Sequence, residues 1–375
     1  MTDLQALFFA PENILFSESQ GRRFAARRGR KEVWAVNPVA GRTLELLNEP
    51  RTLATLCSVI ANEYDIEFSA CASVLSPYLK NLEQLGWIEP LPDLDPAAVM
   101  RRRYLELLKR ALVNLLYPEH ELWMRHVAKA GHHVDKAARD RELRDIRHLQ
   151  PDAYAALIHC KHFGEVMYGE PTRDSHTMVG LRRLNNLEYC ARRVFAEQVA
   201  GDFLEAGVCQ GGATIFLRAL QVAFGEEERR TWVADSFQGL PPPVLPQDIS
   251  HNMDFIEARF PWLAISEETV RENFRIYDLL SEQVRFIPGW FDQTLESTPT
   301  GPLALLRVDA DLYQSTRDVL AGLYDRVSVG GYVIIDDYGS FAACRKAVDE
   351  FRQHRGITED IRFIDSTGIF WRKMR

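Results

Sequence analysis

Two apolar runs, each ending in paired carboxylates, constrain this chain more than any other feature. They are Leu306-Arg307-Val308-Asp309-Ala310-Asp311-Leu312-Tyr313 and Gly330-Gly331-Tyr332-Val333-Ile334-Ile335-Asp336-Asp337-Tyr338. Short apolar runs bounded by glycine and acidic residues read as buried parallel strands. In an open α/β sheet, ligands lie beyond the carboxyl ends of the strands, so Asp309, Asp311, Asp336 and Asp337 are expected at one rim. Carboxylates gathered there repel one another unless a cation is shared, which makes a hard divalent metal the first hypothesis. The alternative is that Asp311 and Asp337 cap the helices that follow.

With 375 residues, 46% hydrophobic and 26% charged, the chain has the make-up of a globular protein with room for two cores. A net charge of -8 argues against a nucleic-acid or membrane-surface binder as a whole. No apolar run reaches the length of a membrane span, and the N-terminus lacks a basic segment followed by an apolar stretch. A cytoplasmic location is therefore expected. The cysteines, Cys57, Cys71, Cys160, Cys190, Cys209 and Cys344, form no C-x-x-C pair, so neither a zinc site nor a disulfide framework is signalled.

Residues 1–92 read as one unit. Asn13 to Ser17 and Arg22 to Arg28 form a hairpin pattern, and Glu32 to Val36 gives a third strand. Helical periodicity then covers Val39 to Leu47, Leu53 to Tyr64 and Ser69 to Gly86, the first introduced by Asn37-Pro38. Three strands and three helices describe a small α+β winged-helix module, for which DNA binding is the common use. The third helix argues against it, with Glu83 and Gln84 but only Lys80 as a cation.

The run Val33-Trp34-Ala35-Val36-Asn37-Pro38 and the ending Leu82-Glu83-Gln84-Leu85-Gly86-Trp87-Ile88-Glu89 resemble the PqqD-like modules. That resemblance implies recognition of the leader of a ribosomally made precursor peptide, added as a strand at Glu32 to Val36 beside the helix Ser69 to Gly86. Basic residues between Arg22 and Lys31 would favour an acidic leader.

Residues 93–200 read as a helical linker and cover. Tyr104, Leu105, Leu108, Leu112 and Leu115 recur at helical spacing, whereas His126 to Arg147 is charged and nearly devoid of apolar residues. Adjacent His132 and His133 do not share a helix face, so they are read as solvated rather than as a metal pair. Met178-Val179-Gly180 leads into another amphipathic helix.

From residue 201 a strand-turn-helix begins, Leu204-Glu205-Ala206-Gly207-Val208-Cys209-Gln210-Gly211-Gly212, with glycines that let backbone approach a ligand. Thr231 to Asp235 is a second strand ending in a carboxylate, the position from which a doubly wound fold holds a ribose diol, with a cap as the alternative. Val284 to Pro288 is a third, followed by Gly289-Trp290-Phe291, suited to a purine ring. Leu303 to Val308, Tyr332 to Ile335, Ile361 to Phe363 and Gly368 to Arg372 complete an expected seven-stranded sheet with an antiparallel last pair.

These blocks, with Val233-Ala234-Asp235-Ser236-Phe237-Gln238-Gly239-Leu240-Pro241 and Asp309 to Thr316, resemble the macrocin O-methyltransferase family from about Tyr104 to the C-terminus. The resemblance implies a Rossmann-like class I methyltransferase sheet, S-adenosylmethionine and Mg²⁺. Asp309, Asp336 and Asp337 match the family's magnesium ligands. Met178, Gly180, Glu205, Gly207, Gly211, Gly212, Asp235, Ser236, Phe237, Gly289 and Trp290 are assigned to the cofactor. Catalysis is assigned to Asp309 and Asp311, with His251 and Glu257 of the segment between Pro243 and Trp262 as candidate bases. Cys209-Gln210 and Ala310 depart from the family pattern without removing a ligand. The expected function is O-methylation of a ribosomally synthesised peptide recruited through its leader; the alternative is methylation of a sugar hydroxyl on a small glycoside. No nucleic acid or membrane partner is expected, and a homo-oligomer is.

Overall fold

The computed structural model describes residues 7–9, 14–19, 22–27, 33–47, 51–84, 88–91, 96–130, 145, 147–163, 175–249 and 263–375. It divides into two compact units, residues 1–100 and 101–375, so the stretch read as linker and cover is split between them.

The first unit contains the strands β2 (Ile14–Ser19), β3 (Arg22–Arg27) and β4 (Val33–Val36), joined as an antiparallel sheet in that order. Helices Pro38–Leu46, Leu53–Tyr64 and Phe68–Gln84 follow. Asn37 caps the first, accepting the Ala40 N–H at 2.7 Å, and Thr52 caps the second, accepting that of Thr55 at 3.0 Å. Leu44, Leu53, Leu56, Ile60, Leu75 and Leu79 fill a core of its own. Sequence reading missed a second small sheet, in which β1 (Leu7–Phe9) lies between β5 (Arg51–Thr52) and β6 (Glu89–Leu91). Glu32 and residues 85–86, expected in the edge strand and the third helix, lie outside the described residues.

The second unit is built on seven strands in the order β12-β13-β11-β10-β7-β8-β9. They are β7 (Asp202–Ala206), β8 (Thr231–Asp235), β9 (Val284–Pro288), β10 (Leu303–Val308), β11 (Val327–Ile335), β12 (Arg362–Phe363) and β13 (Ile369–Arg372). β11, β10, β7, β8 and β9 are parallel, while β13 runs antiparallel to β11 and to β12. β11 begins five residues before the expected Tyr332, with a register shift opposite Leu303 and Leu305 that takes up Gly330 and Gly331.

Alternation along the strands feeds two cores, which is why these runs are apolar throughout. Phe203, Ala304, Leu305 and Ile334 pack on one face against helices Leu181–Ala196, Gly212–Ala223 and Glu267–Ile276. Leu204, Leu306, Val333 and Ile335 pack on the other against Tyr313–Leu323 and Ala342–His354. Of the charged stretch expected after His126, residues up to Ala130 belong to helix Pro118–Ala130, and His132 and His133 lie outside the described residues. Among the described residues no helix is long and apolar enough to cross a membrane.

Candidate active site

The strand ends are tied to each other by backbone hydrogen bonds that continue past the strands. The Asp309 N–H donates to the Ala206 carbonyl at 2.8 Å, that of Asp336 to Val308 at 2.9 Å, and that of Gly289 to Asp235 at 2.9 Å. The acidic residues ending β8, β10 and β11 thus stand in register where the strand order reverses, the place a doubly wound sheet offers a ligand.

A cavity of about 550 Å³ opens there. Gly207, Asp235, Ser236, Gly289, Trp290 and Met178 line it, as do Asp309 and Asp311. Leu240, Pro241, Pro242 and Val244 form one wall, and Gln314, Ser315 and Asp318 of the helix after Asp311 form another. Candidate bases His251 and Glu257 lie outside the described residues.

Asp309, Asp311 and Asp337 bring one carboxylate oxygen each within 4.8 Å of one another. Neither Asp311 nor Asp337 caps a helix, since Leu312 and Phe341 occupy the N-cap positions. Asp311 instead takes a left-handed backbone, φ 52°, and donates its N–H to Asp337 at 3.3 Å. Burial, then the charges of Asp309 and Asp336, pushes its carboxyl up to about 8. Burial also raises Asp337 well above the usual carboxylate range, with Asp311 and Asp309 adding to it, and Asp309 is raised by burial and Asp336. A set of hard oxygen donors with mutual repulsion is what Mg²⁺ or Ca²⁺ would relieve, so these residues fit such an ion.

Asp336, expected in the ligand set, sits beside that group but is engaged from behind. Arg183 takes one of its oxygens and Arg307 the other. Each carboxylate oxygen keeps a second lone pair, so the two ion pairs orient Asp336 without exhausting it. Arg307 also binds Glu205, and Asp309 at 2.9 Å. Burial opposes its charge, but Asp336, Asp309 and Glu205 outweigh burial and push its pKa up. Arg183 further donates to Asp365 at 2.9 Å and to Thr367. Sequence reasoning missed both arginines; the one available signal was Arg307 inside an otherwise apolar strand.

Several residues assigned to the cofactor do other work. Glu205 is buried beneath the site, where it accepts from Arg307 and Thr214, and it does not line the cavity. Burial lifts its carboxyl to about 7 against the pull of Arg307. A Cβ at Gly212 would lie 2.2 Å from the His176 carbonyl, and one at Gly211 2.8 Å from Val270, so these glycines serve chain packing. Gly180 is the N-cap of helix Leu181–Ala196, and Phe237 packs on Phe286.

Asp235 does face the cavity. Its oxygens accept the Val208 and Phe237 N–H groups, each at 2.8 Å, which anchors both turns and leaves acceptor capacity in a carboxylate with about four lone-pair sites. Burial raises its pKa while those N–H groups hold it down. With Trp290 and Phe291 beside it, the arrangement fits a nucleoside.

Fold and site together define a doubly wound methyltransferase domain. The Macrocin-O-methyltransferase (TylF) family profile matches residues 101–373, and the chain belongs to that family. The Coenzyme PQQ synthesis protein D (PqqD) profile matches residues 14–88. The chain is 42% identical over 277 residues to 8-demethyl-8-(2,3-dimethoxy-alpha-L-rhamnosyl)-tetracenomycin-C 4'-O-methyltransferase of Streptomyces olivaceus, covering 72% of this chain and 93% of that one. It is 40% identical over 273 residues to Mycinamicin III 3''-O-methyltransferase of Micromonospora griseorubida, covering 72% and 96%. It is 47% identical over 202 residues to Demethyldecarbamoylnovobiocin O-methyltransferase of Streptomyces niveus, covering 54% and 77%. The solved structure of the O-methyltransferase NovP superposes with a TM-score of 0.59 and 38% identity, covering 73% of this chain and all of that one. Methyltransferase relatives of this kind imply S-adenosylmethionine as the methyl donor.

Proposed function

We propose that this enzyme methylates a hydroxyl on the sugar of a small glycosylated natural product, with a divalent cation at Asp309 and Asp337. The observation that carries this reading is similarity over nearly the whole length of enzymes named for natural-product acceptors, a rhamnosyl tetracenomycin among them, and over 72% of this chain. It displaces the peptide reading preferred from sequence, which rests on the PqqD match alone.

S-adenosylmethionine, when bound, supplies an electrophilic methyl group; of the residues lining the cavity, Asp235 would accept from its ribose hydroxyls, and Trp290 and Phe291 would hold its base. A divalent cation, when bound, supplies a Lewis acid that makes an alcohol acidic enough to react near neutrality. Asp309 and Asp337 belong to both the expected ligand set and the carboxylate group, and Arg183 and Arg307 hold Asp336 beside them. Asp311, whose carboxylate lies within 4.8 Å of those of Asp309 and Asp337 and which lines the cavity, is placed to take the hydroxyl proton.

The test is methyl transfer by the full chain to demethyldecarbamoylnovobiocin and mycinamicin III, with and without chelator. Transfer to a sugar hydroxyl, lost in EDTA and restored by Mg²⁺, is expected. Calorimetry should show Asp235→Ala losing cofactor affinity that Asp309→Asn keeps. Undiminished turnover by verified metal-free protein would remove the cation, and methylation of neither glycoside would remove the acceptor class.

A second reading keeps the peptide. The first unit has its own core and an edge strand, β4, with Trp34 and Ala35 exposed on it, the arrangement that takes up an added strand.

A further inference from the structure

Helix Tyr313–Leu323 begins two residues after Asp311, and three of its residues, Gln314, Ser315 and Asp318, face the cavity. It opens without a cap of its own, because Leu312 at the N-cap position has no side-chain acceptor. Its first amides still need partners. They find one 65 residues upstream in Asp248, whose carboxylate accepts the Tyr313 N–H at 2.7 Å and, one residue later, the Gln314 N–H at 3.3 Å. Asp248 has 0% exposure, and its negative charge lies at the positive end of the helix dipole.

Asp248, which itself lines the cavity, belongs to the short helix Pro246–Ile249, which closes the segment whose Leu240, Pro241, Pro242 and Val244 form the other wall. Leu245 of that segment packs against Tyr313, Ala343 and Ala347. One carboxylate therefore joins two walls that the chain builds from distant stretches. Leu245 adds apolar contact and Asp248 adds a fixed register, because hydrogen bonds are directional and the apolar contact is not.

We infer that Asp248 is a positioning residue, a remote helix cap that fastens the 240–249 wall to the helix after Asp311 and so sets the width of the acceptor side of the cavity. The inference rests on the methyl-transfer site of the family and not on which acceptor is used. Hydrogen exchange measured on the full-length protein tests it without any acceptor. Asp248→Ala should exchange about tenfold faster at residues 240–249 and at Tyr313 and Gln314, the scale of a lost cap. β10 and β11 should be unchanged, and so should S-adenosylhomocysteine affinity by calorimetry. Asp248→Asn, which keeps one acceptor oxygen, should recover most of the protection. With a glycoside acceptor, Asp248→Ala should raise KM and leave kcat nearly as it was.

Unchanged exchange in both walls would overturn the inference. So would exchange rising equally in β10 and β11, which would make Asp248 a general stabiliser. Should Asp248→Ala not fold, Asp248→Asn decides, since it must still loosen one of the two amides; full protection at both Tyr313 and Gln314 would refute the latch.

Discussion

A Cβ at Gly207 would lie 1.7 Å from the carbonyl oxygen of Asp309. The two residues follow neighbouring strands at the switch point, and their backbones approach so closely that only hydrogen fits between them. Gly207 also has φ +86°, which a side chain would strain further. This contact sets how near Asp309 comes to the turn that follows Ala206.

Gly207→Ala is therefore expected to push the ends of β7 and β10 apart, at a cost of about 3 kcal/mol or more in stability. Chemical denaturation should show the loss, together with weakened cofactor binding. A variant as stable and as active as the parent would mean that the strand ends have slack that the close approach denies.

Arg307 is buried among Glu205, Asp309 and Asp336, and Arg183 meets Asp336 from the other side. Arg307→Met leaves those carboxylates without their main countercharge and should destabilise by about 3–5 kcal/mol. Arg183→Met strands Asp336 less completely and should cost less. Denaturation midpoints at matched pH give the comparison, and the reverse order would show that Arg183 is the principal counterion.

How legible was this in the sequence? The parallel strands were, because Leu303 to Val308 and Tyr332 to Ile335 are buried on both faces and so are apolar but for Arg307. The sheet of β1, β5 and β6 was not, since strands of two or three residues carry no periodicity. Asp309 and Asp311 were recognisable as rim residues because they end a strand. The bonds of Glu205 to Arg307 and Thr214 were not legible, because a carboxylate at a strand end looks the same whether it faces ligand or a buried arginine. The partnerships of Arg183 with Asp336, and of Asp248 with Tyr313, join stretches 153 and 65 residues apart, and no local pattern announces them.

The raised carboxyls make a pH prediction with a definite sign. Asp309, Asp311 and Asp337 have folded pKa values above the ordinary 3.8, about 8 for Asp311, so the fold binds more protons than the unfolded chain. Stability from these groups is then lost as pH rises, starting at the unfolded value of 3.8 and finishing above about 8 for Asp311. A divalent cation selects the ionised carboxylates, so the gain in Tm on adding Mg²⁺ should be larger at about pH 8 than at about pH 6. Asp311→Asn should flatten the pH dependence of the metal-free protein. Thermal melts in EDTA and in Mg²⁺ at the two pH values check both, and an equal gain in each would place the ion elsewhere.

β4 is an edge strand of the β2-β3-β4 sheet in the first unit. It pairs with β3 through Phe24 with Ala35 and Ala25 with Trp34, which leaves its other side without a strand partner among the described residues. Successive N–H groups along a strand point to opposite sides, so of Trp34 and Ala35 one donates toward β3 and the other toward the open edge. Proline removes the donor at either place. One of Trp34→Pro and Ala35→Pro should thus unfold the small sheet, while the other leaves it intact and closes only the edge. If the first unit binds an acidic leader peptide as an added strand, the variant that stays folded should lose that binding, with cofactor affinity and glycoside methylation unchanged. Circular dichroism identifies the folded variant, and fluorescence anisotropy with a labelled acidic peptide reads the edge. Equal peptide binding by the folded variant and the parent would exclude strand addition at β4.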